Sequence, residues 1–347
     1  MFDAVVFDTL SLALEEADLL PEAGSILCLR AEAVPFLMRL PKDRLTCQNS
    51  FKPDHDALKA AGFTVLPPEA ETFPPAALTI ILPPRQRDET RALFARAMRD
   101  APVGGVVIAS LPNTLGAKTG EKILAELAGA GETHSLSKHK CRAFWAVKTD
   151  GWNTPLAEEW MAFDAPQEVD DGALWSRPGL FSWDRVDAGS ELLADSVPEW
   201  IRGRGADFGA GQGFLSREVL ANCPQVESMD LYEAEYRALA CQQKNLEAFD
   251  NWTGHWADVL KDAPQAEYDF IVMNPPFHTG RADAASLGQA FIRAASDALK
   301  TGGTLWLVAN RHLPYEAALS ECFKSHEMLE DEGGYKIIKA EKPKRKR

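Results

Sequence analysis

Asn274-Pro275-Pro276-Phe277 follows directly on the apolar run Asp269-Phe270-Ile271-Val272-Met273. A polar Asn closing a buried strand costs stability unless it is used. The two prolines fix φ and remove two backbone donors. They leave the Asn274 side-chain oxygen and the Pro275 carbonyl as stiff acceptors. Two convergent acceptors suit a planar –NH2 group: they hold its hydrogens and aim its nitrogen at an electrophilic methyl. Phe277 can stack on the ring that bears the amine, as aromatics do with unstacked bases. The plain alternative is a proline turn with Phe277 in the core.

A second motif lies upstream, Asp207-Phe208-Gly209-Ala210-Gly211-Gln212-Gly213. Glycines let backbone approach a ligand closely and adopt φ > 0. The helix start that follows offers free N–H groups and a positive dipole end. Alone, the turn fits a dinucleotide loop, a structural turn or a methyl-donor loop; GxGxG spacing rather than GxGxxG weakens the first. An acid about 20 residues on, at the next strand end, can take both ribose hydroxyls of a nucleoside cofactor. Asp230 and Glu233 both qualify, and Glu233 is preferred because it directly precedes the next helix. Asp258 follows a third strand and suits either an adenine amino group or a helix N-cap.

These residues need a parallel sheet to bring them together. The second half reads as alternating strands and helices: strands over 205–208, 226–232, 268–273 and 304–309, and helices over 216–222, 234–249 and 287–300. That alternation argues α/β with helices on both sheet faces. The first half echoes it from Leu78: apolar strand, Pro-Pro, helix, Gly-Gly, apolar strand. Four features recurring in order predict a duplication. In the first copy Leu82 and Arg85 stand where Asn274 and Phe277 stand, and the strand over 25–29 is followed by RAEAV with no glycine turn. The first copy thus keeps the fold and loses the pocket.

Asp207–Gly213, the strand-end acid and NPPF, in that order, resemble the class I S-adenosylmethionine-dependent methyltransferases that act on exocyclic amines. FSWDRVDAGSELL (Phe181–Leu193), NPPFHTG and GGTLWLVANRHLPYE (Gly302–Glu316) look like the ribosomal RNA guanine-N2 methyltransferases of the RsmC/RlmG type. The resemblance covers residues 181–340 well, and 80–148 more weakly. It implies two tandem Rossmann-like methyltransferase domains. Residues 1–150 form a degenerate copy for RNA recognition or structure, 151–180 a linker, 181–340 the catalytic domain and 341–347 a basic tail. It implies S-adenosyl-L-methionine as donor, with Asp207, Gly209, Gly211 and Gly213 along its methionine part and Ala210 and Asn274 also binding it. Glu233 takes the ribose and Asp258 the adenine. Asn274, Pro275 and Pro276 hold the amine, Phe277 stacks on the base, and His278 and Asn310 contact substrate. Phe181, Asp187 and Gly189 form a lid segment. The motif alone equally serves adenine N6 in tRNA or DNA, or a protein glutamine amide. A catalytically silent RNA-binding or assembly protein is the reading of another class.

Composition sets the remaining bounds. The 347 residues carry a net charge of −14, with 46% apolar and 25% charged side chains. That is ordinary globular composition, and the length favours two domains. Residues 1–150 are near neutral at −2 and the rest carries −12, yet the last twelve residues hold seven basic side chains. Those basics read as a solvated terminus or as a flexible phosphate-seeking arm. Arg85, Arg87, Arg91, Arg96 and Arg99 read equally as a helix's polar face or an RNA-facing surface. The six cysteines show no CxxC and the histidines no HExxH, so no metal is expected and the thiols read as reduced and buried. No apolar run reaches membrane-spanning length. A cytoplasmic protein is expected, working on ribosomal RNA or a ribosomal subunit, without membrane, and with a monomer as the simplest state.

Overall fold

The computed structural model describes residues 4–265, 267–276 and 281–344, with 281–284 described as backbone alone. The chain forms two compact units. One is Met1–Ala165 with Arg177–Gly179; the other is Pro166–Ser176 with Leu180–Arg347.

The first unit contains α1 (Ala4–Glu16), β1 (Ile26–Leu29), α2 (Pro35–Met38), β2 (Leu45–Gln48), α3 (Lys52–Ala60), β3 (Thr64–Val65) and β4 (Leu78–Ile81). It continues with α4 (Arg87–Asp100), β5 (Val106–Pro112), α5 (Ala117–Ala128), β6 (Thr133–Lys138), β7 (Cys141–Val147) and α6 (Thr154–Ala162). The second contains β8 (Gln167–Val169), β9 (Leu174–Ser176), α7 (Ala188–Ser196), β10 (Arg202–Phe208), α8 (Phe214–Asn222), β11 (Gln225–Glu233), α9 (Leu239–Asn245) and β12 (Trp252–Trp256). After these come α10 (Val259–Asp262), β13 (Tyr268–Met273), α11 (Arg281–Ala298), β14 (Leu299–Asn310), α12 (Glu316–Cys322), β15 (Phe323–Glu332) and β16 (Tyr335–Pro343).

The two main sheets have the same order: β3-β2-β1-β4-β5-β7-β6 and β12-β11-β10-β13-β14-β16-β15. In each, the first five strands run parallel, the sixth runs antiparallel to the fifth and the seventh antiparallel to the sixth. The duplication expected from the Pro-Pro and Gly-Gly echo is therefore present, as two Rossmann-like folds. Central strands are apolar on both faces because helices cover both: β1 and β4 are buried at every position. The second unit's two cores lie on opposite faces of its sheet. Phe208, Ile271 and Leu307 fill one and Leu231, Phe270, Val272 and Val308 the other. The order in which successive strands are added to the sheet reverses between β10 and β13, and ligands of such sheets bind outside the carboxyl ends at that switch point.

Several expectations need correction. Residues 151–180 are not a linker. They hold α6, whose Ala157 and Trp160 are buried in the first unit's core, and the β8–β9 hairpin, which belongs to the second unit. The helix expected over 234–249 is a short 3-10 turn, Tyr236–Ala238, followed by the seven residues of α9. The tail is not a free arm from residue 341: β16 carries the chain to Pro343, and 345–347 lie outside the described residues. The arginine row of α4 is largely neutralised within its own unit. Arg91 pairs with Asp88, Arg96 with Asp164 at 2.5 Å, and Arg99 with Asp100 at 2.6 Å, while Arg85 and Arg87 stay exposed. Five of the six cysteines are buried.

Candidate active site

β10 ends in Asp207 and Phe208 and turns through Gly209 (φ 79°), Gly211 (φ 53°) and Gly213 (φ 90°) into α8. A Cβ on Gly211 would meet nothing within 4 Å and one on Gly209 would lie 3.5 Å from the Phe291 ring, but a Cβ on Gly213 would sit 2.7 Å from Leu246 Cδ1. The turn is also held from outside. Gly209 and Ala210 donate N–H bonds to the Tyr232 carbonyl, and Gln242 Nε2 donates to the Gly211 carbonyl at 2.8 Å. Asn245 Nδ2 donates at 2.8 Å to both the Gln212 and Trp175 carbonyls, while its Oδ1 accepts from Trp175 N–H at 2.7 Å. So α9 ties the glycine turn to the β8–β9 hairpin. The sequence carries no signal for Gln242 and Asn245 beyond two amides on a helix.

Glu233 closes β11 beside this turn. Its carboxylate accepts from Gly211 N–H at 2.8 Å and Glu235 N–H at 2.7 Å. Burial raises its pKa, and those N–H bonds oppose the rise. Asp230 is placed elsewhere, in a network with Arg204, His255 and Tyr268 at 2.6, 3.0 and 2.9 Å. Burial works to raise its pKa, but the bonds from His255, Arg204 and Tyr268 win and bring it down to about 2. The geometry thus sets Glu233 at the glycine turn and Asp230 away from it.

Asp207 is fully buried. Ser216 Oγ donates to its Oδ2 at 2.8 Å, and its Oδ1 has no partner. Burial, against the Ser216 bond, lifts its pKa from 3.8 to about 7. An orphaned carboxylate oxygen beside an open glycine turn calls for a cation or donor.

Across the switch point, Asn274 follows β13 and shares one narrow cleft with Gly209, Ala210 and Gly211; Phe181, Asp187 and Phe214 also line it. Asn274 Nδ2 donates to Asp187 Oδ2 at 3.0 Å and to Ser190 Oγ at 2.9 Å. Its amide hydrogens are thereby spent, and Oδ1 is the atom left to accept. Pro275 is buried and Pro276 exposed. Phe277 and His278 lie outside the described residues.

Asp258 caps α10, accepting from Leu260 N–H at 3.0 Å, so the simpler of its two expected roles is the one seen. Asn310 ends β14 opposite Tyr335 and does not line the cleft. Of the segment expected to cover the site, Phe181 and Asp187 line the cleft, Asp187 as the N-cap of α7, while Gly189 in its first turn is buried against the Tyr335 ring. Ser190, passed over in the sequence, completes that turn; the D-x-x-S spacing of a capped helix was its available signal.

S-adenosylmethionine, the donor implied by the resemblance, fits these residues. Asp207 Oδ1 has no partner in the protein, the Glu233 carboxylate lies against the glycine turn, and Gly211 leaves room that a side chain would fill.

Comparison with known proteins points the same way. The family model described as methyltransferase small domain matches residues 171–339, starting inside the β8–β9 hairpin. The ribosomal RNA small subunit methyltransferase C of Psychromonas ingrahamii is 29% identical over 265 residues, covering 75% of this chain and 74% of that one. The protein of the same name from Erwinia tasmaniensis is 29% identical over 278 residues, covering 79% and 78%. Among solved structures, the T. thermophilus 16S rRNA N2 G1207 methyltransferase (RsmC), in complex with AdoMet and guanosine, superposes with a TM-score of 0.79. The match covers 97% of this chain and 92% of that one at 24% identity, a likeness of fold. With the glycine turn, Glu233 and Asn274 gathered at one switch point of the second of two like sheets, residues 171–339 match the methyltransferase small domain and the chain resembles the ribosomal RNA small subunit methyltransferase C proteins.

Proposed function

We propose that the chain transfers a methyl group from S-adenosylmethionine to N2 of a guanine in 16S ribosomal RNA. The observation that carries this reading is Asn274, set in one cleft with the glycine turn and with its amide nitrogen already engaged. When bound, the donor supplies a methyl carbon on a positively charged sulfur that leaves as a neutral thioether. Everything else falls to the chain. The glycine turn, Glu233 and Asp207 place the donor. Asn274 Oδ1 and the Pro275 carbonyl accept the two hydrogens of the guanine amine and turn its lone pair toward the methyl. As the N–C bond forms, charge develops on nitrogen beside these two acceptors, which stabilise it. The extra proton then passes to water, so no strong base is required. Positioning of this kind is worth up to about 7–11 kcal/mol.

Guanine rather than adenine is favoured by the named relatives and by the fold match, which includes a guanosine complex. The test is mass mapping of 16S rRNA from a strain lacking the protein, with methyl transfer to naked 16S rRNA and to assembled small subunits run beside it. Loss of one N2-methylguanosine, at the position corresponding to G1207, restored by the purified chain, is expected. Methylation of tRNA adenine or of a protein amide instead would replace the substrate. Donor binding without transfer to any of them would mark a silent binding protein.

A further inference from the structure

Asn274 works only in one of its two amide orientations. Flipped, it would present –NH2 to the target –NH2, donor against donor. Hydrogen-bond chemistry chooses between the two orientations. One amide hydrogen meets Asp187 Oδ2 at 3.0 Å and the other meets Ser190 Oγ at 2.9 Å. A carboxylate only accepts, so an Asn oxygen cannot replace the nitrogen there without setting lone pair against lone pair. Both partners stand in the first turn of α7. Asp187 is its N-cap, and the same Oδ2 accepts Ser190 N–H at 2.9 Å. Gly189 lies between them, and a Cβ there would fall 2.8 Å from the Tyr335 ring and 3.1 Å from Asp187 Oδ2. The turn is thus fixed from three sides.

We propose that Asp187 and Ser190 are positioning residues for methyl transfer: they take both amide hydrogens of Asn274, forbid its flip and aim Oδ1 at the target amine. This rests on the reading of Asn274 as the amine clamp. Asp187 has a further effect. Its charge behind the amide nitrogen polarises Asn274, making Oδ1 a better acceptor as positive charge grows on the substrate nitrogen.

The test uses the full chain, with methyl transfer to 16S rRNA and donor binding measured separately. Asp187→Ala releases the amide, and kcat is expected to fall about 100-fold, the scale of a small misplacement, while donor Kd stays within about threefold. Asp187→Asn keeps an oxygen for both Ser190 N–H and the Asn274 amide and remains a good N-cap. It loses charge alone, so its kcat should fall no more than about tenfold. Asn274→Ala combined with Asp187→Ala should be no slower than Asn274→Ala by itself, since residues acting as a unit are not additive. A readout independent of turnover is the Asn274 side-chain amide signal in protein labelled with 15N-Asn: slow hydrogen exchange in the native chain and in Asp187→Asn, fast in Asp187→Ala.

Additive losses in the double variant would overturn the proposal. So would Asp187→Asn as slow as Asp187→Ala, or fast exchange of the Asn274 amide in the native chain. If the native chain methylates no 16S rRNA, the substrate reading fails instead, and the amide signal still decides the positioning role.

Discussion

Two glycines two residues apart should fail in opposite ways. Gly211→Ala puts a methyl where no protein atom lies within 4 Å, on the wall of the cleft, at φ 53°. The left-handed backbone costs an L residue about 1–2 kcal/mol, which lowers Tm by roughly 2–8 °C in a unit of this size. The same methyl intrudes on the donor. At the usual cost of overpacking, about 1–3 kcal/mol, donor Kd rises roughly 5- to 150-fold. Gly213→Ala differs, since its Cβ falls 2.7 Å from Leu246 Cδ1 at φ 90°. Strain and overpacking together reach about 2–5 kcal/mol, paid in folding rather than in binding. Calorimetric titration of the donor and thermal unfolding of both variants separate the two. Gly211→Ala binding the donor as tightly as the native chain would mean that the cleft beside Asn274 does not hold it.

Asn274→Ala should cut transfer about 10²–10³-fold, as loss of one transition-state partner does, and leave donor Kd within a few fold; full activity would end the amine-clamp role. Asp207, lifted from 3.8 to about 7 by burial, makes donor affinity depend on pH. A cationic group beside Oδ1 favours the ionised form, so affinity is level above about pH 7 and weakens by up to about tenfold per unit below it. In the free protein the sign for stability is the reverse. Between pH 3.8 and 7 the folded chain keeps a proton that the unfolded chain gives up, so this group's contribution falls as pH rises, and Asp207→Asn should flatten both profiles in titrations and melts. Asn245→Ala removes three bonds at 2.7, 2.8 and 2.8 Å and strands their partners. A loss of about 2–4 kcal/mol is expected, with limited proteolysis at the β8–β9 hairpin as the check.

What the sequence made legible follows from how far each signal reaches. Apolar runs bounded by Gly and Pro located β10, β11 and β13 to within a few residues, because burial on both faces is a local demand. The glycine turn and Asn274 stood out because each would be wasteful as mere structure. Signals that depend on a distant partner were silent. Asp230 and Glu233 look alike in SMDLYEAEY, and the difference lies in Arg204 and His255 on other strands. Residues 151–180 look like a linker because their order comes from contacts such as Asn245 with Trp175, seventy positions apart. Even the short α9 has that cause, since its last residue is committed to the hairpin and to Gln212.

The first unit shows what the glycines are for. Register aligns Leu29 with Gln48 and Ile81, as Phe208 aligns with Tyr232 and, one step beyond the Asp207–Val272 pair, with Met273. On that alignment Arg30 stands for Gly209, Glu32 for Gly211, Val34 for Gly213, Asn49 for Glu233 and Leu82 for Asn274. Arg30 is left-handed at φ 54°, as Gly209 is at φ 79°, and Ala31 N–H reaches the Gln48 carbonyl as Ala210 N–H reaches Tyr232. The chain therefore makes the same turn with or without glycine, and conformation alone does not require one at 209. What differs is the space beyond the strand. In the first unit the Arg30 guanidinium runs to Glu89 at 2.6 Å, whereas Gly209 sends no side chain into the cleft that Asn274 lines. A glycine kept where an arginine makes the same turn is kept for something that must come close to the backbone, and the cleft beside Asn274 leaves that approach open.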